Sequence, residues 1–274
     1  MSHNADEVLA SFRQQNRDGR QLIGAGAGTG LSARSAHAGG VDFLVVYNSG
    51  RYRMAGRGSL AGFLAYGDAN AIVLDMAGEV IPVAAGLPVF AGVNGTDPFR
   101  RMPTFLDEVK AAGYVGVQNF PTVGAFDGSF RANLEATGMG YDVEVAMMRA
   151  AAERDLVTAP YVFSEEEAEA MVTDGHAHIV VAHMGLTTSG SVGASVAASL
   201  EDTAAACQRI LDTARRLNPD VLVLAHGGPI ATSTDWKYVK EHTEGLNGFL
   251  GASSMERLPV ERGIADTVAA FKAI

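Results

Sequence analysis

The sequence predicts an α/β protein folded as a single (β/α)8 TIM barrel, and three observations carry that expectation. Apolar stretches of strand length alternate with helix-periodic segments eight times along 274 residues, and a right-handed parallel series of this kind closes on itself at about 250 residues. The stretch VLVLAHGGPI at residues 221–230 runs five apolar residues straight into a histidine, two glycines and a proline. A strand buried on both faces reads this way where it stops at a functional edge. The same shape occurs 43 residues earlier, where VVAHMG carries His183 as VLAHGG carries His226. An open doubly wound sheet is the alternative, and eight strands with a helix at the far end favour the barrel. No composition break divides the chain, so one domain is expected over 1–274, with 1–20 as an N-terminal helical extension.

Taken in order, a short helix at 6–15 precedes a first strand at 21–28. Its glycines at 24, 26, 28 and 30 do not complete the G-x-G-x-x-G pattern that cradles a dinucleotide, so no nicotinamide cofactor is expected. A helix at 31–40 leads to the second strand, 41–48, and then to a loop with Arg51, Arg53 and Arg57 and no acid. On so acidic a chain that loop suits carboxylate or phosphate capture, though it also suits a solvated surface. Helical periodicity covers 60–84 with a break near Gly67 and Asp68; the third strand is 88–95, a helix spans 105–112, and the fourth strand is 114–121. A Gly-rich excursion at 122–140 follows, then a helix at 141–154 and the fifth strand at 157–164. Ser164 with Glu167 three residues on is a capping box for the helix ending at Thr173. The sixth strand is 178–185, followed by a loop at 186–195 and a helix at 200–217; helix 236–242, strand 246–253 and helix 260–274 complete the series. The excursion at 122–140 and the loop at 186–195 are expected to be mobile lids, being rich in Gly, Ser and Thr next to rim residues.

Asn48, Asn94, Asn119, Tyr161, His183 and His226 stand at the ends of strands two to seven. Asparagine is poor in strands, so three at equivalent places either cap turns or form a neutral hydrogen-bonding bowl for an enolate or carboxylate oxygen. The two histidines sit on neighbouring strands about 4.8 Å apart, one as general base and the other as acid or electrophile. Arg53 would hold a carboxylate. Gly228 after strand seven and Gly251, Ser253 and Ser254 after strand eight would hold a phosphate or second carboxylate, because only small residues let backbone N–H groups approach an anion there. Tyr161 completes the substrate-binding set.

Absences narrow the chemistry. All four lysines, Lys110, Lys237, Lys240 and Lys272, fall in helical stretches, so no Schiff-base cofactor or lysine nucleophile is expected. The single cysteine, Cys207, is in a helix as well. The carboxylates nearest strand ends are Asp97, Asp127 and Glu256, which leaves a divalent metal possible and its ligands unknown. His176 and His178 stand at the opposite end of strand six from His183 and read as structural. A net charge of −10 disfavours nucleic acid or an anionic membrane surface as partner. With neither a leader-like start nor a spanning segment, a cytoplasmic protein is expected, homo-oligomeric and acting on a small anionic substrate.

The runs YNSGRYRMAGRGSLAG, GVNGTDPF, GVQNFPTVG, TGMGYDVEV, HMGLTTSG, HGGPI and GASSMERLP resemble the phosphoenolpyruvate hydrolase-like family of TIM-barrel proteins, also described as TIM-barrel signal transduction proteins. The resemblance covers the chain from about residue 21. It implies a barrel related to the phosphoenolpyruvate mutase and phosphonopyruvate hydrolase group, and an enzyme, hydrolase or lyase, that cleaves a C–C, C–P or O–P bond of a small anionic oxo-acid or enol-phosphate. The alternative is a metabolite-sensing or signalling barrel without turnover. Those relatives hold magnesium on acidic strand ends and use a lysine in a gating loop; here strands two to four end in asparagines and no lysine lies at the rim.

Overall fold

The computed structural model describes residues 4–194 and 198–274. Nine parallel strands form one sheet: β1 (Leu22–Gly26), β2 (Phe43–Val46), β3 (Val89–Val93), β4 (Gly116–Asn119), β5 (Val157–Thr158), β6 (Tyr161–Val162), β7 (Ile179–His183), β8 (Leu222–His226) and β9 (Gly248–Gly251). Their order, β5-β4-β3-β2-β1-β9-β8-β7-β6, ends on two short strands that are consecutive in the chain. The expected fifth strand is therefore β5 and β6 together, interrupted at Ala159 and Pro160. Proline has no N–H to give the ladder, and the strand changes partners there. Ala159 donates to Val117 O on one side, while Pro160 O accepts from Val181 N–H on the other. Through these residues the sheet closes as a TIM barrel, and the expected sixth to eighth strands are β7 to β9.

Helices α1 (Ala5–Arg17), α2 (Gly30–Ala38), α3 (Asn48–Met54), α4 (Ala69–Val80), α5 (Met102–Ala111), α6 (Gly128–Ala136), α7 (Tyr141–Ala152), α8 (Glu165–Thr173), α9 (Leu200–Leu217), α10 (Ser233–Glu241) and α11 (Arg257–Lys272) alternate with the strands. Strand alternation sorts the core into two layers. Phe43, Val45 and Tyr47 point into the barrel, and Leu44 and Val46 point out to the helices. Helix α1 joins the inner layer through Val8, Leu9 and Phe12, with Phe12 5.6 Å from Phe43 and Phe43 5.1 Å from Phe90 between ring centroids. It plugs the amino-terminal mouth, so an open site belongs at the carboxyl-terminal end.

Several local expectations need correction. Asn48 does not close strand two: it opens α3, and Arg51 and Arg53 lie on that helix rather than in a loop. The turn requires Gly28 and Gly50 to touch, since a Cβ on Gly28 would fall on the Gly50 carbonyl. The periodic segment 60–84 is a short 3-10 turn, Ser59–Phe63, followed by α4, because the Asp68 carboxylate caps the new helix at Ala71 N–H. The excursion at 122–140 contains α6, and the last helix begins at Arg257. Of the loop at 186–195, Ser195 lies outside the described residues.

Candidate active site

At the carboxyl-terminal mouth is a cavity of about 380 Å3 lined by Tyr47, Ser49, Arg53, Tyr161, His183, His226 and Ser253, among others. His183 and His226 are register partners on β7 and β8, and their ring centroids lie 4.7 Å apart. The Tyr161 ring is 4.8 Å from His183 and 4.7 Å from His226. Phe163 stacks on His183 at 4.5 Å.

Hydrogen bonds assign the two imidazoles opposite tautomers. His226 Nδ1 is 2.7 Å from Leu250 O, a pure acceptor, so Nδ1 carries the proton and Nε2 the lone pair, which faces the Tyr161 hydroxyl at 3.3 Å. His183 Nδ1 accepts the Gly185 N–H at 3.1 Å, which leaves its proton on Nε2. One ring presents a base and the other a donor. Burial lowers the His226 pKa to about 4 against the opposing pull of Leu250 O. Burial, and after it His226 itself, holds His183 well below the ordinary histidine value. Both are neutral near pH 7.

Arg53 and Glu256 form the charged floor. Their side chains are each 1% exposed, with Arg53 Nη2 3.0 Å and Nε 3.2 Å from Glu256 Oε2. Arg53 Nη1 donates to Ser49 Oγ, and Glu256 Oε1 accepts the Gly28 N–H. Burial pulls the Arg53 pKa down, but the Glu256 carboxylate outweighs it and the guanidinium stays charged. Above it, the Tyr47 hydroxyl is buried beside Tyr161 and Arg53.

The other expected residues are dispersed. Asn119 is wholly buried and committed: its amide donates to Glu144 Oε2 at 2.6 Å and to Tyr161 O, and its carbonyl accepts Tyr161 N–H at 2.7 Å. It positions Tyr161 at the strand break. Asn48 donates to Gly62 O. Asn94 belongs to a separate cavity, where Asn70 bridges it to Asp97. Gly228 N–H donates to Gly185 O and ties the two histidine loops together. Gly251 does not line the cavity; Ser254 faces the outer wall beside Trp236. Ser253 does line it, with its hydroxyl 3.3 Å from Ser59 Oγ.

Tyr47, Ser49, Ser59, Phe120 and Phe163 were missed because each falls before, beyond or inside a strand end rather than on it. Glu144 had no signal either, being one acid on an amphipathic helix. It is fully buried, accepting from Asn119, Thr122 and Val123 N–H, and desolvation raises its pKa to about 7 against those three bonds. A folded pKa above the ordinary 4.5 means that the folded state keeps a proton the unfolded state releases. The stability so contributed is full below pH 4.5 and lost as pH rises through 7. Glu144→Gln should therefore flatten the stability–pH curve between pH 5 and 8 by about 3 kcal/mol, at some uniform cost, in urea melts. An unchanged slope would rule out Glu144 as its source.

The sequence profile of the phosphoenolpyruvate hydrolase-like family matches residues 7–274. The chain belongs to that family. This phosphoenolpyruvate hydrolase-like chain is 57% identical over 267 residues to the ToMV susceptible protein tm-1(GCR26) and to the ToMV resistance protein Tm-1(GCR237) of Solanum lycopersicum, covering 97% of the chain and 35% of each relative. It thus spans about a third of the length of these relatives. Among solved structures it superimposes on phosphoenolpyruvate phosphomutase from Streptomyces platensis subsp. rosaceus with a TM-score of 0.61 at 19% identity, covering 99% of this chain and 87% of that one. For 2,3-dimethylmalate lyase, a member of the PEP mutase/isocitrate lyase superfamily, the score is 0.60 at 15%, covering 97% and 88%. For oxaloacetate acetylhydrolase with bound oxalate it is 0.59 at 17%, covering 97% and 87%. At these identities the likeness establishes the barrel fold alone. Among the described residues no helix is long and apolar enough to cross a membrane.

Proposed function

We propose that this phosphoenolpyruvate hydrolase-like protein is a cytoplasmic enzyme that cleaves a bond next to the carbonyl of a small oxo compound by proton transfer at the His183–His226 pair. The observation that carries it is the pair of opposite tautomers 4.7 Å apart beside one cavity. In a lyase step, a substrate hydroxyl passes its proton to Tyr161 as Tyr161 passes its own to His226 Nε2. The C–C bond breaks, the hydroxyl carbon becomes a carbonyl, and the electron pair moves to the other carbonyl oxygen as an enolate. His183 Nε2–H donates to that oxygen. The proton returns from His226 through Tyr161 to the enolate carbon. Water in place of the hydroxyl would make the same base serve a hydrolysis.

Incubation with phosphoenolpyruvate, phosphonopyruvate and a set of 2-oxo acids tests this, read by product, by hydrogen–deuterium exchange at C3 and by thermal shift. Product or catalysed exchange is expected. Stabilisation with neither would replace the enzyme by a metabolite-sensing barrel, the alternative that the neutral, enclosed site also suits.

The expected homo-oligomer belongs to the same proposal. Helix α11 buries only Arg257 and Leu258, and Val260, Ile264, Val268 and Phe271 lie exposed on one face at helical spacing. On the barrel wall, Ile23 of β1 and its register partner Phe249 of β9 face an apolar groove of about 290 Å3 beside Trp236 and Met255. The helix after the last strand of a barrel ordinarily fills that place. Helix α11 of a second copy fits it. Light scattering should show a dimer, and Ile264→Glu with Val268→Glu a folded monomer; wild-type monomer at micromolar concentration would overturn the exchange.

A further inference from the structure

We infer that the cavity takes a non-phosphorylated 2-oxo or 1,3-dicarbonyl compound with an aromatic or equally flat apolar body, neutral or carrying one negative charge. This rests on the proton-transfer reading of His183 and His226 and names the substrate class of that site.

Size alone does not decide the matter. A volume of about 380 Å3 admits about a dozen non-hydrogen groups at roughly 30 Å3 each, enough for a phosphorylated three-carbon acid or an aryl oxo-acid. Charge separates the two. Arg53 is the one lysine or arginine lining the cavity among the described residues, and the Glu256 carboxylate lies against it. Both histidines are neutral, so the site offers no net positive charge to a ligand bearing two or three negative ones.

That same carboxylate belongs to the loop after the last strand, next to where a barrel usually seats phosphate. Glu256 stands at the N-cap of α11 and accepts the Gly28 N–H, so an incoming phosphate would meet a like charge. A magnesium ion could bridge the two, as the fold's relatives imply, but both oxygens of Glu256 are already committed to Arg53 and to the Gly28 N–H. No group of three or more His, Cys, Asp or Glu capable of holding a metal occurs among the described residues. Asp97 is bonded to Asn70 at the other cavity, and Asp127 is exposed at the start of α6.

The walls supply the positive half of the argument. Leu60, Phe63, Phe120, Phe163 and Leu186 line the cavity together with Tyr47. Phe120 is 5.0 Å from both Tyr47 and Phe63. An aromatic slot with a few convergent polar atoms at its floor matches a flat apolar body that ends in a carbonyl. The Nε2–H of His183 is the donor that the carbonyl oxygen would meet.

Titration calorimetry near pH 7 with phenylpyruvate, benzoylacetone, phosphoenolpyruvate and phosphonopyruvate, with and without magnesium, tests the class on the wild-type protein. Phenylpyruvate and benzoylacetone should bind at least about 100-fold more tightly than either phosphorus acid, whether or not magnesium is present. Glu256→Gln should free the Arg53 charge and raise phosphoenolpyruvate affinity by about tenfold or more. Phosphoenolpyruvate binding as tightly as the aryl compounds, or no saturable binding of either aryl compound, would overturn the inference. If phosphoenolpyruvate is preferred and its turnover dies with His226→Asn, the proton-transfer reading stands and the substrate class falls. If the aryl compounds bind but show neither exchange nor product, the class stands and the reading falls.

Discussion

Asparagine in place of His226 is expected to lower the rate of catalysed C3 hydrogen exchange of phenylpyruvate by about 10^2–10^4-fold, the usual worth of a positioned general base. His183→Asn should produce a loss of the same order by removing the proposed donor to the enolate oxygen. If the two imidazoles act on one proton transfer as proposed, the double variant should be scarcely worse than either single one. His226 is also 5% exposed and bonded to Leu250 O, so its replacement costs about 1–3 kcal/mol of stability; rates must be referred to the folded fraction. The pH profile supplies a second readout. With the His226 pKa lowered to about 4, exchange should hold level from pH 8 to about 5 and fall only toward 4, where an unperturbed histidine would fail near 6.5. Between pH 6.5 and 4 the folded state binds fewer protons than the unfolded one. The stability due to neutral His226 is therefore full above pH 6.5 and lost, by about 3 kcal/mol, as pH drops to 4. Exchange that persists undiminished in both folded variants would return the histidines to a structural role.

Removal of one partner of the Arg53–Glu256 pair should cost about 3–5 kcal/mol, because each leaves the other charge buried and uncompensated. With both side chains 1% exposed, and with Ser49 and Gly28 N–H as further partners, water cannot make good the loss. Arg53→Met and Glu256→Leu are the single variants, and guanidinium melts are the measurement. Their combination should recover most of the stability, since apolar groups of similar volume replace the ion pair without a desolvation cost. The pair therefore contributes little net stability and holds α3 to α11 across the mouth of the barrel. Single variants costing under 1 kcal/mol would mean that solvent reaches the pair.

The eight-fold alternation, the parallel order and the nearness of His183 to His226 were legible in the sequence, because each depends on patterns local to a strand or on neighbours in a regular series. Period-two burial marks a strand wherever it lies, and a barrel makes successive strands adjacent. What residues share a wall was not legible. Asn94 and Asn119 stand at strand ends as equivalent in sequence as the two histidines, yet one turns to a second cavity and the other is consumed by Glu144 and Tyr161. A strand end specifies a height on the barrel, whereas the direction of a side chain there follows from the pleat and from how the next turn packs. Arg53 was read as a free cation because its neutraliser lies 203 residues away, beyond any spacing rule. The net charge of the cavity, and with it the class of ligand that the cavity favours, was set only when folding brought α3 and α11 together and excluded water from between them.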